Sequence, residues 1–407
     1  MYRLLLLALI AALSFVSINA QEVEDTIKIK TRVVFLDALV KDKKTNLPIS
    51  NLKTENFEVL DDGKPRSISY FTREGEARKP LALILILDLR EDGAGRFLKQ
   101  PEILKAMEDQ LAKLPPGDEV AIMAMDIAED EERFWLTQFT NDRAKIAAAL
   151  ARVPELCGPN TGQAPQGIER ITHTVQGEGK PDDIIETETI RGRKGGTVVR
   201  ETRRDGSVNV KRVDKDGKVT IDLGDVYDMA AAVRDATRKA EEVRPNSQPS
   251  IIWVSDGIAP IFFEDRDATE QILIRNNVIF NSLTTEMRTL FKFLMPIGKP
   301  IAGWLGVSLY GSAKHLAQRS GGEAVKVGRV KDYGTGLSKI IGNLTARYSL
   351  GFALAESEID DGRMHALEVR VKAKDEKGKN RKLQVSSRQG YYMSSTVPKE
   401  AAAKAQD

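Results

Sequence analysis

The stretch that most constrains this chain is Leu81–Asp92, Leu-Ala-Leu-Ile-Leu-Ile-Leu-Asp-Leu-Arg-Glu-Asp. The apolar run from Leu81 to Leu87 is short for a buried helix. It suits a strand covered on both faces, as at the centre of a parallel sheet. In open α/β sheets ligands bind beyond the carboxyl ends of such strands. Asp88, where the apolar run stops, is therefore the first candidate functional residue.

After Pro80 strands and helices alternate. Buried strands are expected at 120–125, 251–254, 278–283 and 324–327, with an antiparallel edge strand at 134–139. Helices are expected at 102–114, 142–153 (capped by Asn141 or Thr140), 226–243, 267–274, 315–319 and 337–346. This alternation predicts a doubly wound, mostly parallel α/β sheet across residues 80–346. The flanks read differently. Residues 26–75 are strand-like and carry a hairpin signal at Asp61-Asp62-Gly63, and residues 347–393 alternate again. Together these flanks are expected to build a small β-sandwich, followed by a frayed tail at 397–407.

Two stretches interrupt the alternation. Residues 157–225 are too long for a plain connection. Within them Gly195, Gly206 and Gly217 each open a β-rich phrase, which predicts a protruding, solvated β-meander, with a docking arm as the alternative. Residues 289–309 are rich in Phe, Leu and Met but broken by Pro296 and Pro300. They read as a loop packed on the domain or an apolar contact surface, not a bilayer span.

Composition narrows the partners. Across 407 residues the net charge is +2, which gives no electrostatic ground for binding nucleic acid or anionic membrane. Arg3, the apolar run Leu4–Val16 and the small residues before Ala20 read as a secretory signal peptide over residues 1–20. The mature chain is then secreted or periplasmic, without a transmembrane segment. Cys157 is the sole cysteine, so no intramolecular disulfide forms and a free thiol is expected.

Five separated motifs stand in a fixed order. Leu52-Lys53-Thr54-Glu55-Asn56-Phe57-Glu58-Val59-Leu60-Asp61-Asp62-Gly63-Lys64-Pro65 comes first, then Leu85-Ile86-Leu87-Asp88. Ser255-Asp256-Gly257 follows, and last come Tyr348-Ser349-Leu350-Gly351-Phe352 and Arg388-Gln389-Gly390-Tyr391-Tyr392. In this order the chain resembles the bacterial secreted VWFA-related (von Willebrand factor type A-like) family over roughly residues 26–393, the insertion excepted. The resemblance implies a type A-like fold and a metal-ion-dependent adhesion site. That site is built from Asp-x-Ser-x-Ser, a threonine from a second loop and an aspartate from a third. Magnesium wants six oxygens, and uncharged hydroxyls keep it electrophilic enough to take a partner's carboxylate.

This chain departs from that pattern. Asp88 holds the first position, but Arg90 and Asp92 stand where the serines belong, and Leu223-Gly224-Asp225-Val226 stands where the threonine is expected. Asp256 is the other survivor. Either Arg90 folds inward and pairs with Asp88 and Asp256, or Asp88, Asp92, Asp225 and Asp256 form a carboxylate-rich site for calcium or, more weakly, magnesium. A fixed guanidinium repels a cation strongly at short range, which favours a degenerate site with no stable metal and no cofactor. Asp88, Arg90, Asp92 and Asp256 are then contact residues. The expected function is an extracytoplasmic, adhesion-like protein–protein interaction module with an unidentified protein partner. The alternative is a hydrolase using the carboxylates at the strand-end crevice. His173, His315 and His365 show no spacing for a metal pair or a triad and read as surface or satisfied histidines. Gly93-Ala94-Gly95 lacks the lysine of a phosphate loop, and the acidic run Glu129–Glu132 reads as solvated.

Overall fold

A computed structural model describes residues 32–73, 78–89, 95–126, 132–156, 169–170, 184–191, 197–203, 208–225, 229–255, 258–285, 307–329, 332–374 and 377–393. The expectations for the signal peptide, Arg90, Asp92, the acidic run up to Glu131, Cys157, His173, Asp256, most of the 289–309 stretch and the tail lie outside these residues.

The chain begins in a sandwich. Strand β1 is Arg32–Asp42, β2 is Phe57–Asp61, β3 is Lys64–Arg66 and β4 is Tyr70–Thr72. The β2–β3 hairpin turns on Asp62 (φ 48°) and Gly63 (φ 79°), two successive left-handed residues. That conformation explains why Asp-Gly stands there.

The chain then crosses into the α/β unit through β5, Leu81–Asp88. Helix α1 is Pro101–Leu111, β6 is Glu119–Asp126, β7 is Glu132–Thr140 and α2 is Arg143–Ala151. The cap of α2 is Asp142, whose carboxylate accepts from the Ala144 and Lys145 amides, and not Asn141 or Thr140 as the sequence suggested. A short strand β8, Glu169–Arg170, pairs with β7, so β7 is covered at one end rather than being a free edge. Next come β9 (Ile184–Arg191), β10 (Thr197–Arg203), β11 (Val208–Val213) and β12 (Val219–Asp225). Helix α3 is Met229–Val243, β13 Gln248–Ser255, β14 Ile258–Phe262, α4 Phe263–Arg275 and β15 Ile279–Thr285. Strand β16 is Val307–Tyr310, α5 Ser312–Ser320, β17 Ala324–Val327 and α6 Asp332–Thr345. Strands β18 (Tyr348–Leu354), β19 (Met364–Val371), β20 (Leu383–Ser386) and β21 (Gly390–Tyr392) close the chain.

The central sheet runs β17-β15-β13-β5-β6-β7-β8. Its first five strands are parallel, and β7 and β8 are antiparallel to their neighbours. Strand β5 sits in the middle and is buried along its whole length. Its pleat divides it between two cores. Leu81, Leu83, Leu85 and Leu87 face α1, α2 and α6, while Ala82, Ile84 and Ile86 face α3, α4 and α5. This is the doubly wound layout the resemblance implies, built by a strand apolar on both faces.

The flanks form the sandwich. One sheet is β20-β1-β18-β4 and the other β21-β19-β2-β3, so each sheet mixes strands from both ends of the chain. Between them lie Leu36, Val59, Tyr348, Phe352, Val369 and Tyr391, among others. The sandwich meets the α/β unit at the end of α5. There Gly321 (φ +82°) and Gly322 let the backbone approach Arg388 and Phe280 so closely that a Cβ at either would collide. The buried Arg388 guanidinium donates to the carbonyls of Ile274 and Phe35, one in each unit, and Lys41 pairs with Glu323 across the same boundary.

The insertion differs from expectation in two ways. It is a four-stranded antiparallel meander, β12-β11-β10-β9, whose first strand starts before the glycine repeat. Nor does it simply protrude. Ile190, Val198 and Val210 are buried, and β9 and β10 lie against α4. Alternation gave the meander one apolar face, and that face needed a cover.

Candidate functional site

Strand β5 continues on one side into β6, and β13 pairs with its other side. The gap between β5 and β13 is therefore where the winding changes direction, the place at which open α/β sheets build ligand sites. Both strands end there in a polar residue, Asp88 and Ser255. Val254 lies opposite Leu87 in the parallel register, so Asp88 and Ser255 come next and face each other. The Ser255 hydroxyl donates to Asp88 Oδ2 at 2.6 Å. Both residues are 0 % exposed. A bond from a hydroxyl to a buried carboxylate is charge-assisted and short. One residue further, the Leu89 amide donates to the Met125 carbonyl at 2.7 Å, extending the β5–β6 ladder past the aspartate.

Of the residues expected at this site, Asp88 is where the sequence placed it. Asp225 ends β12, opposite Asn209 in the meander, and its side chain is not among those described. Among the described residues the site is thus Asp88 with Ser255. Ser255 had been noted only as part of Ser-Asp-Gly. The signal that could have found it is positional, a hydroxyl ending the strand that pairs in parallel with the one ending in Asp88.

Two of the three histidines are held by acids. His315 Nε2 lies 2.7 Å from Glu270 Oε2, and Arg319 Nε donates to Glu270 Oε1 at 2.8 Å. Burial pushes the Glu270 carboxyl up, but the bonds to His315 and Arg319 outweigh it and bring it down to about 2. Arg319 also donates to Gln389, so this cluster joins α4 and α5 to the sandwich. His365, 3 % exposed, lies between Asp62 and Asp361 at the edge of the sandwich. Neither cluster was expected, because each joins residues far apart in the chain.

No family model matches this chain, and no curated protein does. Among solved structures it is similar to an aerotolerance-related membrane protein from Bacteroides fragilis, at 12% identity and a TM-score of 0.33, over 64% of this chain and 98% of that one. It is similar to the conserved hypothetical protein BatB from Bacteroides thetaiotaomicron, at 13% identity and a TM-score of 0.35, over 65% and 98% of the two chains. A von Willebrand factor type A protein from Catenulispora acidiphila aligns at 8% identity and a TM-score of 0.37, over 88% and 74%. Overlaps this slight add nothing to what the strand order shows of the fold. Among the described residues no helix is long and apolar enough to cross a membrane.

Proposed function

We propose that the protein is an extracytoplasmic interaction module that binds a protein partner at the carboxyl end of its parallel sheet, with no bridging ion. The observation that carries this reading is the Ser255–Asp88 bond at the switch point of the sheet. The aspartate that would hold a metal in a type A-like site is fully buried and has one oxygen committed to a neighbouring hydroxyl. The donor set also fits magnesium poorly. Arg90 stands where the motif needs a hydroxyl, and a guanidinium has no acceptor to offer an ion. Arg90, Asp92 and Asp256, which follow the ends of β5 and β13 in the chain, are the contact residues of this reading. Location outside the cytoplasm rests on the composition of residues 1–20.

Affinity capture from an envelope fraction tests the reading. The native protein is expected to retain a partner equally well with and without EDTA, and paired Arg90→Glu and Asp92→Lys substitutions are expected to lose it. Release by EDTA, or capture unaffected by the loop substitutions, contradicts it. N-terminal sequencing of the exported protein is expected to begin near Gln21.

A further inference from the structure

The Asp61-Asp62-Gly63 turn does more than reverse the chain. One carboxylate oxygen of Asp61, one of Asp62 and a ring nitrogen of His365 lie within 4.8 Å of one another. The Asp61 side chain is 4 % exposed, and its Oδ1 has no hydrogen-bond partner. Its Oδ2 is fully engaged, accepting from Arg66 Nη2 at 2.7 Å, Arg66 Nε at 3.0 Å and the Tyr391 hydroxyl at 3.1 Å. A buried carboxylate oxygen left bare is costly unless something positive meets it.

We propose that Asp61, Asp62 and His365 bind a first-row divalent cation, with zinc the best fit, at the edge of the sandwich. The mixed imidazole and carboxylate donors suit zinc, which takes four ligands, and water completes the set. Each donor is already aimed from behind. The Ala366 amide holds Asp62 Oδ1 at 2.9 Å, leaving Oδ2 toward His365 Nδ1 at 3.0 Å. Arg66 and Tyr391 hold Oδ2 of Asp61. His365 presents Nε2 to Asp361 Oδ1 at 3.3 Å, and its ring stacks on Tyr391 with centroids 5.1 Å apart. A histidine that ligates a metal through one nitrogen and gives its other N–H to a carboxylate is the usual orienting arrangement.

The electrostatics favour an ion. Asp61, Asp62, Glu358 and Asp361 face two guanidiniums, Arg66 and Arg363. Both ring nitrogens of His365 face carboxylate oxygens. An ion at Nδ1 leaves the contact between Nε2 and Asp361 intact. Arg363, 58 % exposed and 3.0 Å from Asp62 Oδ2, swings away to admit it.

Isothermal titration of the full mature protein with zinc chloride, and separately with magnesium and calcium chlorides, tests the site. A single saturable zinc site in the micromolar range or tighter is expected, with neither other ion competing at millimolar concentration. His365→Gln is expected to abolish it, and Asp361→Asn to weaken it about 10- to 100-fold. His315→Gln, at the other histidine cluster, is expected to leave it unchanged. Zinc should also raise the melting temperature of the native protein and not that of His365→Gln. If His365→Gln does not fold, Asp62→Asn in the exposed turn takes its place. Absence of zinc binding, full affinity in His365→Gln or Asp62→Asn, or loss in His315→Gln overturns the proposal.

Discussion

Taking a carboxylate out of water is expensive unless other donors replace its hydration, and at Asp88 the Ser255 hydroxyl supplies part of that replacement. Ser255→Ala should therefore destabilise the protein by about 1.5–3 kcal/mol, the range for a hydrogen bond to a charged group. The shift in the urea unfolding midpoint at constant slope measures this. A loss under about 0.5 kcal/mol, the usual range for a neutral surface change, would mean the bond contributes nothing of note. Asp88 was legible because the end of an apolar run marks the end of a buried strand. Ser255 was not, since its role depends on the β5–β13 register, which brings together residues separated by 167 positions. His365 was hidden in the same way. The acids that hold it come from a turn 303 residues earlier and from Asp361, four residues before it.

At the scale of elements, the alternation of strands and helices located nearly every layer of the α/β unit, because a strand buried on both faces and an amphipathic helix write different periods. The meander shows where such reading stops. Its phrases predicted strands with two or three apolar side chains each, but nothing in them said what would cover that face. Yet Ile190, Val198 and Val210 are covered, and β9 and β10 rest on α4. Val198→Asp would place an unpaired carboxylate, costly to bury, in that contact. Hydrogen exchange is expected to rise across residues 197–213 while the amides of β5 keep their protection. Unchanged exchange in the meander would show that its packing on α4 is not what orders it.

Across the whole molecule, the α/β unit and the sandwich are fastened by polar groups. Glu270 is central to this, since its partner Arg319 also holds Gln389. Its carboxyl is depressed from an ordinary value of 4.5 to about 2. A depressed acid contributes stability that is fully present above its unfolded value and lost as the pH falls through the folded one. The native protein should therefore lose stability between pH 4.5 and about 2. Glu270→Gln should be less stable at neutral pH and lose less across that window. Parallel acid curves for the two proteins, from thermal melts at each pH, would remove Glu270 from this role. The flanking strands were legible as a sandwich, but its attachment was not. Arg388 stands in the sequence only as the start of the Arg-Gln-Gly-Tyr-Tyr motif, with no sign of its burial, whereas burial lowers its guanidinium to about 10 and its donors serve both units.

The route of the chain through the sandwich has a mechanical consequence. It leaves the sandwich from β4 and returns through β18, and these two strands pair directly, Thr72 with Ser349, Phe71 with Leu350 and Tyr70 with Gly351. Both covalent connections of the α/β unit thus leave the sandwich side by side at one clasp, next to the polar contacts of Arg388, Lys41 and Arg319. The three paired residues therefore fix the distance between the entry into β5 and the exit from α6, so the ends of the inserted unit are held together as a circular permutation or a domain transplant would require.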